Sequence, residues 1–124
     1  MNMRIEYLYR DASNYKQRHD VVLGGLIAET VVRVCLCEGE YFLPSFVGLP
    51  TLQQKFRQQG FVVPTEDDHP WHEIESMRTT SAGTTVDVSA ACFVRLLRKC
   101  RALGWEECAR ISGLELHGPT TLDT

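Results

Sequence analysis

The alternation of side chains over residues 3–10 constrains the fold more than any other feature of this sequence. In an extended chain, one side of this segment is apolar and aromatic and the other is mixed, with Ile5, Tyr7 and Tyr9 opposite Arg4, Glu6 and Leu8. A period of two built from aromatic and β-branched residues is typical of a β-strand. The short polar residues of 11–14 follow it and favour a turn. The sequence therefore predicts a first strand that ends near residue 10.

Two further segments are predicted to form strands. Residues 21–27 are an apolar run interrupted by Gly24 and Gly25, which suit either a two-residue hairpin turn or a bulge within a strand. Residues 71–79 alternate again, with Trp71, Glu73 and Glu75 opposite His72, Ile74 and Ser76. Together with the first strand, these segments predict a small antiparallel sheet.

The clearest helix is predicted after residue 89. Ser89 is a favoured N-cap residue, Gly104 closes the segment, and the apolar residues between them have helical spacing, namely Phe93, Leu96, Leu97, Cys100 and Leu103. Residues 28–38 also have helical spacing, with Gly39 placed as a C-terminal cap. Several of their residues are β-branched, which favours a strand instead. We predict a second helix in this segment.

These elements predict an α+β fold in which a small antiparallel sheet is packed by one clear C-terminal amphipathic helix and a second helix. A chain of 124 residues is near the commonest domain size, so we predict a single domain over residues 1–115. The aperiodic residues 116–124 are predicted to be a flexible tail. Residues 39–50 are expected to be an ordered loop whose aromatic residues pack inward, and residues 52–59 a short helical turn.

Charge, cysteine content and motifs exclude several classes of protein. The net charge of −3 gives no general attraction to nucleic acid or to anionic membranes. No segment has the roughly 18 apolar residues of a membrane-spanning helix. Five cysteines, an odd number without a recognisable signal peptide, favour free thiols in a cytoplasmic protein. The P-loop, GxGxxG and GxSxG motifs do not occur, and we expect no cofactor.

Residues 9–16 are the segment richest in side chains that bind ligands. Arginine and lysine can hold a phosphate group, tyrosine can stack on a base, and asparagine can recognise polar edges. In the alternative interpretation, the short polar side chains satisfy their own turn and the cations are solvated. The candidate ligand-binding residues are Tyr9, Arg10, Asp11, Asn14, Tyr15 and Lys16.

Residues 65–75 contain several acids and two histidines, which are residue types that bind metals. On a strand, His69 and His72 would point to opposite sides, and Pro70 excludes the regular helix that would bring them together. We therefore predict a structured acidic turn and no metal site, and His69 and His72 remain the candidates if a metal does bind.

A row of cations is predicted on the exposed face of the C-terminal helix. It could contact an acidic partner protein, a phosphate backbone or only solvent, and the negative net charge makes nucleic acid the least favoured partner. The row consists of Arg95, Arg98, Lys99 and Arg101. Because Cys100 falls on the apolar face of the same helix, where cysteine behaves as a small hydrophobic residue, we interpret the thiols as structural.

Three blocks of the sequence resemble a widespread set of small bacterial and phage proteins in which similar blocks occur in the same order. The blocks are EYLYRDASNYK, EGEYFLPSFVGLP and TEDDHPWHEIE. The size and layout of the chain are also similar to phage counter-defence proteins of the anti-Thoeris type, oligomers that sequester a signal derived from cyclic ADP-ribose without cleaving it. This resemblance implies a pocket of nucleotide size with Arg10, Asn14, Tyr15 and Lys16 as contacts, and it supplies no catalytic residues.

These observations lead to three hypotheses about function. The first is a non-enzymatic binding protein of phage or mobile-element origin, a homo-oligomer with a counter-defence role that sequesters a small anionic nucleotide-derived signal. The second is a protein-interaction module that inhibits a host complex through residues 65–75 or the cationic helix. The third is a metal-dependent enzyme centred on His69 and His72.

Overall fold

The computed structural model describes residues 1–10, 14–52 and 70–117, the last six by their backbone alone. Its elements, in chain order, are β1 (Asn2–Arg10), β2 (Lys16–Leu23), α1 (Glu29–Arg33), β3 (Tyr41–Phe42), a 3₁₀ helix (Pro44–Val47), β4 (His72–Thr80), α2 (Ala90–Leu103) and α3 (Trp105–His117). The strands form one sheet in the order β2-β1-β4-β3, with every neighbouring pair antiparallel. The predicted α+β class is confirmed.

The core lies between the inner face of the sheet and the helices. Helix α2 contacts the 3₁₀ helix, α1 and α3, and apolar residues of all of these elements share one buried cluster with β1 and β2. Strand β1 has the faces predicted from its alternation, with Ile5, Tyr7 and Tyr9 fully buried. Leu8, on the outer face, is buried as well.

Strand β2 differs from its prediction in position. It begins at Lys16 and pairs with β1 along its whole length, so the connection between the two strands falls after Arg10. Gly24 and Gly25 do not form a hairpin turn or a bulge; Gly24 lies just beyond β2 and bridges Ser89. The first half of β2 has polar residues on both faces, because it is at the edge of the sheet, and its sequence therefore lacks the alternation that identified β1.

The predicted helix over 28–38 is confirmed only in its first half. Helix α1 ends at Arg33, and Gly39, predicted to be its cap, lies in a later turn with φ of +76°. The backbone of Cys37 pairs with that of Tyr41 through two hydrogen bonds of 2.9 Å, which requires the chain to reverse direction there. That pairing places β3 inside the segment predicted to be an ordered loop.

The C-terminal part contains the predicted helix and one more. Ser89 caps α2 by accepting a hydrogen bond from the Cys92 amide, and the helix ends at Gly104 as predicted. Leu103, predicted to be buried, is 58% exposed, because the chain turns into α3 one residue later. Helix α3 was not predicted, and it continues past the predicted domain boundary at 115. Residues 118–124 and 53–59 lie outside the described residues.

A bulge interrupts β4. Glu6 of β1 pairs with Ser76, whereas the next residue of β1, Tyr7, pairs with Ile74. Glu75 is therefore an extra residue that no residue of β1 opposes. The prediction of a regular alternation put Ser76 on the same side of the strand as Ile74. That prediction is wrong, because Ser76 lies opposite Glu6 on the outer face.

The bulge decides which side chains of β4 face the core. Since neighbouring residues in a strand point to opposite faces, one extra residue shifts the pattern by one. Ile74 and His72 therefore point inward, where they are 4% and 0% exposed. Glu73 joins Glu75 on the outer face, and two carboxylates lie close together there.

The buried ring of His72 connects separate parts of the chain. Its Nε2 accepts a hydrogen bond from the Leu52 amide at 3.0 Å, and its Nδ1 lies 2.9 Å from the Pro70 carbonyl oxygen. An amide only donates and a carbonyl oxygen only accepts, so the ring is the neutral tautomer with its proton on Nδ1. Its ring centre lies within 6.3 Å of three aromatic ring centres, those of Tyr7, Tyr9 and Phe42.

Gly48 is required by the packing of the 3₁₀ helix. It follows the last residue of that helix with φ of +84°, a conformation that favours glycine. A Cβ atom at this position would also lie 3.0 Å from Cβ of Val88. Among the described residues, no helix is both long enough and apolar enough to cross a membrane.

We expect the substitution His72→Phe to lower the free energy of unfolding by about 2–4 kcal/mol, because it leaves a buried amide and a carbonyl without partners. Urea denaturation followed by circular dichroism measures this change. The control is His19→Phe, at a partly exposed histidine of β2, which should cost less than about 1 kcal/mol. Equal losses for the two variants would contradict the structural role of His72.

Tyr7 gives a second prediction, on pH dependence. Its hydroxyl donates to the Pro50 carbonyl oxygen at 2.6 Å, and burial raises the pKa of this phenol well above its usual 10.0. The folded state thus keeps the proton to a higher pH than the unfolded chain does. The resulting stability is complete below pH 10 and is lost as the pH rises above it, by up to about 1.4 kcal/mol per pH unit.

We therefore expect Tyr7→Phe to flatten the fall in stability above pH 10. Urea denaturation at a series of alkaline pH values measures the slope for wild type and variant. Tyr15→Phe, which removes a hydroxyl from an exposed ring, should keep the wild-type slope. A Tyr7→Phe slope as steep as that of wild type would show that other groups cause the alkaline loss.

Candidate functional site

A concave surface opens on the outer face of the sheet, where β1 ends and β2 begins. We call it the outer-face hollow; it encloses about 520 Å³. The buried Leu8 contributes apolar surface to it. Charged side chains make up most of the remaining lining, with four cations and three carboxylates: Arg10, Lys16, Arg18, Arg33, Glu40, Glu73 and Glu75.

Strand pairing brings these charges together. Arg10 lies opposite Lys16, and Leu8 lies opposite Arg18, in the β1–β2 pair. On its other side, Leu8 lies opposite Glu73 of β4. Directly opposite residues of an antiparallel pair share a face and have Cβ atoms about 4.5–5.5 Å apart. Three neighbouring strands therefore place their charged side chains around the same part of the outer face of the sheet.

Two arginines of the hollow are oriented by side-chain partners. Arg10 donates from Nε to Glu73 at 3.1 Å and from Nη1 to Oδ1 of Asn14 at 2.7 Å. Arg18 donates from Nε to both carboxylate oxygens of Glu75, at 3.1 and 3.3 Å. Exposed ion pairs of this kind contribute only about 0–1 kcal/mol each, so they position the guanidinium groups more than they stabilise the fold.

Arg33 enters the hollow from α1. Its Nε pairs with Glu29 one helical turn earlier at 2.9 Å. Its Nη1 donates to the carbonyl oxygens of Gly39 and Ile74, at 3.2 and 3.3 Å. These bonds connect α1 with the turn before β3 and with β4, and they hold the guanidinium group in the wall of the hollow.

Lys16 differs from the three arginines. It is exposed at the start of β2, and its ammonium group has no ion pair or hydrogen bond with any residue that the structure describes. An anion at Lys16 would therefore not need to displace a described carboxylate. Among the cations of the hollow, this is the position where an anionic ligand meets the least competition.

The structure brings half of the six predicted ligand residues to this place. Arg10 and Lys16 line the hollow, and Asn14 reaches it through its hydrogen bond with Arg10. Asn14 has φ of +68°, a conformation that asparagine tolerates better than most residues, and this turns the chain toward β2. Tyr15 is 59% exposed beside the hollow and does not line it.

Two predicted residues do not join the hollow. Tyr9 is 0% exposed and belongs to the core on the opposite face of the sheet. The prediction that its ring stacks on a ligand is therefore wrong, because Tyr9 occupies an inward position in the alternation of β1. Asp11 lies outside the described residues.

Sequence reasoning did not identify the other charges of the hollow. Arg18 could have been found, since in a strand it shares a face with Lys16 two residues earlier. The remaining ones carry no local signal, because they come from α1, the turn before β3, and the bulged strand: Arg33, Glu40, Glu73 and Glu75. Their approach depends on the order of strands and on the bulge, which no single segment reveals.

The histidine candidates for a metal do not form a site in the described structure. Both ring nitrogens of His72 are engaged inside the core, so this ring is not available to a metal. His69 lies outside the described residues. Among the side chains that the structure describes, in residues 1–10, 14–52 and 70–111, no group of three or more from His, Cys, Asp or Glu is arranged to hold a metal ion.

All five cysteines are free thiols. Cys35, Cys100 and Cys108 are buried in the core cluster, in agreement with a structural interpretation. Burial, together with the neighbouring Cys108, raises the pKa of the Cys100 thiol to about 12. Cys100 is therefore a protonated, apolar group at neutral pH and does not act as a thiolate.

The predicted cations of α2 lie on its exposed side. Arg95 donates to Sγ of Cys92 at 3.4 Å. Arg98, Lys99 and Arg101 have no ion pair with a residue in the described part of the chain. These four exposed residues thus give α2 a positive outer side, and α2 packs on the face of the sheet opposite the outer-face hollow.

Comparison with models of protein families, with curated proteins and with solved structures finds no match to this chain.

Proposed function

We propose that the chain is a binding protein, without enzymatic activity, that holds a small anionic, nucleotide-like ligand in the outer-face hollow. The observation that carries this proposal is the grouping of four cations around about 520 Å³ of space, namely Arg10, Lys16, Arg18 and Arg33. Sites for small molecules usually enclose about 300–1,000 Å³. The hollow therefore has room for a ligand of nucleotide size.

Unused donors in the hollow support a phosphate-bearing ligand. Arg18 uses only its Nε in bonding to Glu75, and its two Nη groups have no partner among the described residues. The ammonium group of Lys16 also has no partner among the described residues. Arginine and lysine hold phosphate through charge-assisted hydrogen bonds, which are about twice as strong as neutral ones. Lys16 and Arg18 lie two residues apart on one strand face and would hold the phosphate together.

The carboxylates of the hollow narrow the class of ligand. Glu40, Glu73 and Glu75 would repel a bare inorganic anion that filled the whole space. Ionised carboxylates accept hydrogen bonds, however, and sugar hydroxyl groups donate them. A ligand that carries both phosphate and sugar hydroxyls matches this mixture, and nucleotides and ADP-ribose derivatives are of that class.

The lining is compatible with binding without catalysis. Among the described residues of the hollow there is no histidine, cysteine, serine or threonine, and two of its three carboxylates, Glu73 and Glu75, are already paired with arginines. The resemblance to anti-Thoeris counter-defence proteins adds a use for such a site. A homo-oligomer that sequesters a nucleotide-derived signal needs tight binding and no chemistry, and a second subunit would cover the open side of the hollow.

We expect wild-type protein to bind ADP-ribose, and Lys16→Met to weaken binding about tenfold or more, because it removes one charge-assisted contact to phosphate. Isothermal titration calorimetry measures both affinities. Lys99→Met on α2 makes the same change of charge and side chain far from the hollow and should leave the affinity unchanged. Mass spectrometry of the mixture should recover ADP-ribose intact.

Three outcomes would contradict the proposal. The first is the absence of heat with ADP-ribose and with cyclic nucleotides at micromolar protein. The second is an equal loss of affinity in Lys16→Met and Lys99→Met, which would indicate a general effect of charge. The third is conversion of the ligand during incubation, which would identify the protein as an enzyme.

The cationic face of α2 supports a second candidate function, an interaction module that binds an acidic partner protein. The observation in its favour is that Arg98, Lys99 and Arg101 are exposed and unpaired within the described residues, whereas the arginines of the sheet are paired with acids. Charged patches of one sign steer oppositely charged partners and raise the rate of association.

For this second function we expect Arg98→Glu/Lys99→Glu to abolish recovery of an acidic partner in pull-downs from host lysate, because it reverses the charge at the contact. The control is Arg4→Glu/Arg78→Glu, which reverses two charges on the sheet, one partly buried and one exposed. A partner that both double variants retain equally would argue against the α2 face as the contact surface.

A further inference from the structure

A second concave surface lies on the other side of the turn that precedes β3. It encloses about 430 Å³ and is lined by two aromatic rings, two carboxylates and a thiol: Tyr41, Trp71, Glu38, Glu106 and Cys37. We call it the aromatic hollow. Its two aromatic residues are Tyr41 and Trp71. Both are half-buried, so part of each side chain packs against the protein and the remainder lines the hollow.

The walls of the aromatic hollow are built into the fold. The Trp71 ring packs against Trp105, with 6.2 Å between ring centres. Trp105 is in turn held by the hydrogen bond from its indole nitrogen to the Cys35 carbonyl oxygen, at 2.7 Å. Tyr41 is fixed by its two backbone hydrogen bonds with Cys37. The Trp71 ring and the backbone that carries Tyr41 are therefore positioned before any ligand arrives.

The charge of the aromatic hollow is negative. Its described lining includes no lysine, arginine or histidine. Neither Glu38 nor Glu106 forms an ion pair within the described residues, although both are exposed. Burial, with contributions from Glu38 and Glu106, raises the pKa of the Cys37 thiol. The two carboxylates thus act together on a group inside the hollow.

Two carboxylates without an ion pair among the described residues, beside two aromatic rings, favour one class of ligand. A cation over the face of a tryptophan or tyrosine ring gains about 0.5–2 kcal/mol, and carboxylates add a Coulombic attraction. An anion would be repelled, and a neutral apolar molecule would leave the carboxylates unsolvated. The glutamates also accept hydrogen bonds from ammonium or guanidinium groups, which are donors only.

We propose that the aromatic hollow is a second binding site, for an organic cation that carries a primary amine or a guanidinium group. The positive group lies between the Tyr41 and Trp71 rings and donates to Glu38 and Glu106. This site is separate from the outer-face hollow and takes the opposite charge, so the proposal does not rest on the function proposed above.

The test is calorimetric titration of the full chain with putrescine and agmatine, small molecules with these two groups. We expect both to bind the wild type, and Glu38→Gln/Glu106→Gln to weaken binding about tenfold or more by removing both charges without changing side-chain size. Glu107→Gln is the control, because Glu107 is next to Glu106 but is paired with Arg110. It should bind as the wild type does.

Two further ligands complete the experiment. 1,4-Butanediol has the length of putrescine without its charges and should not bind. N-acetylarginine amide carries a guanidinium group as a protein does, and binding it as well as agmatine would identify an arginine side chain of a partner as the source of the cation. Weaker binding than agmatine would favour a free small molecule.

The proposal is overturned if neither amine binds the wild type, if butanediol binds as tightly as putrescine, or if Glu107→Gln weakens binding as much as the double variant does. Thermal denaturation of each variant verifies that it is folded. ADP-ribose binding, measured on Glu38→Gln/Glu106→Gln, should equal that of wild type. A failure of amine binding can therefore be distinguished from a failure of the outer-face hollow.

Discussion

The neutral imidazole of His72 is the interaction on which the described fold depends. It satisfies the Leu52 amide and the Pro70 carbonyl oxygen at the same time, and these two residues border the segment 53–69. The ring also fills the space between the aromatic residues of β1 and β3. One side chain therefore links Leu52 to Pro70 and also fills the space between the aromatic residues of the core. A phenylalanine ring would fill a similar space, but it could not form hydrogen bonds with the Leu52 amide and the Pro70 carbonyl oxygen.

The orientation of His72 depends in turn on the bulge at Glu75. The bulge turns His72 and Ile74 inward and places Glu73 and Glu75 outward, where they orient Arg10 and Arg18. The same irregularity thus serves both faces of the sheet. On the outer face it supplies carboxylates that keep two guanidinium groups extended over the hollow. Across the turn before β3, Glu40 faces the outer-face hollow and Glu38 the aromatic hollow, and the two surfaces differ in sign.

The sequence predicted the elements whose pattern is set by local burial. Strand β1 and helix α2 each bury one face, so a period of two and a helical spacing identify them. The first half of β2 and helix α3 were missed, because an edge strand is polar on both faces and α3 follows α2 after a single glycine. For the site, the sequence found Arg10 and Lys16, which are close in sequence and directly paired between β1 and β2. It could not find Arg33, Glu73 or the presence of Tyr41 and Trp71 in the lining of one hollow, since these residues come together only through the tertiary fold. Tyr9 was misassigned because composition does not distinguish the two faces of a strand.

The bulge also has a consequence for how this sequence can change during evolution. On each side of Glu75, the side chains of β4 alternate between inward and outward. The alternation before Glu75 is shifted by one residue relative to the alternation after it. Deleting Glu75 itself would leave Ile74 opposite Tyr7 and Ser76 opposite Glu6, so the strand would become regular and every remaining side chain of β4 would keep its face. The core would be preserved, and the outer face would lose the carboxylate that pairs with Arg18. Deleting any other residue of β4 would place one half of the strand on the wrong face unless the bulge were lost at the same time. The length of β4 can therefore change by one residue only at the position that serves the outer face.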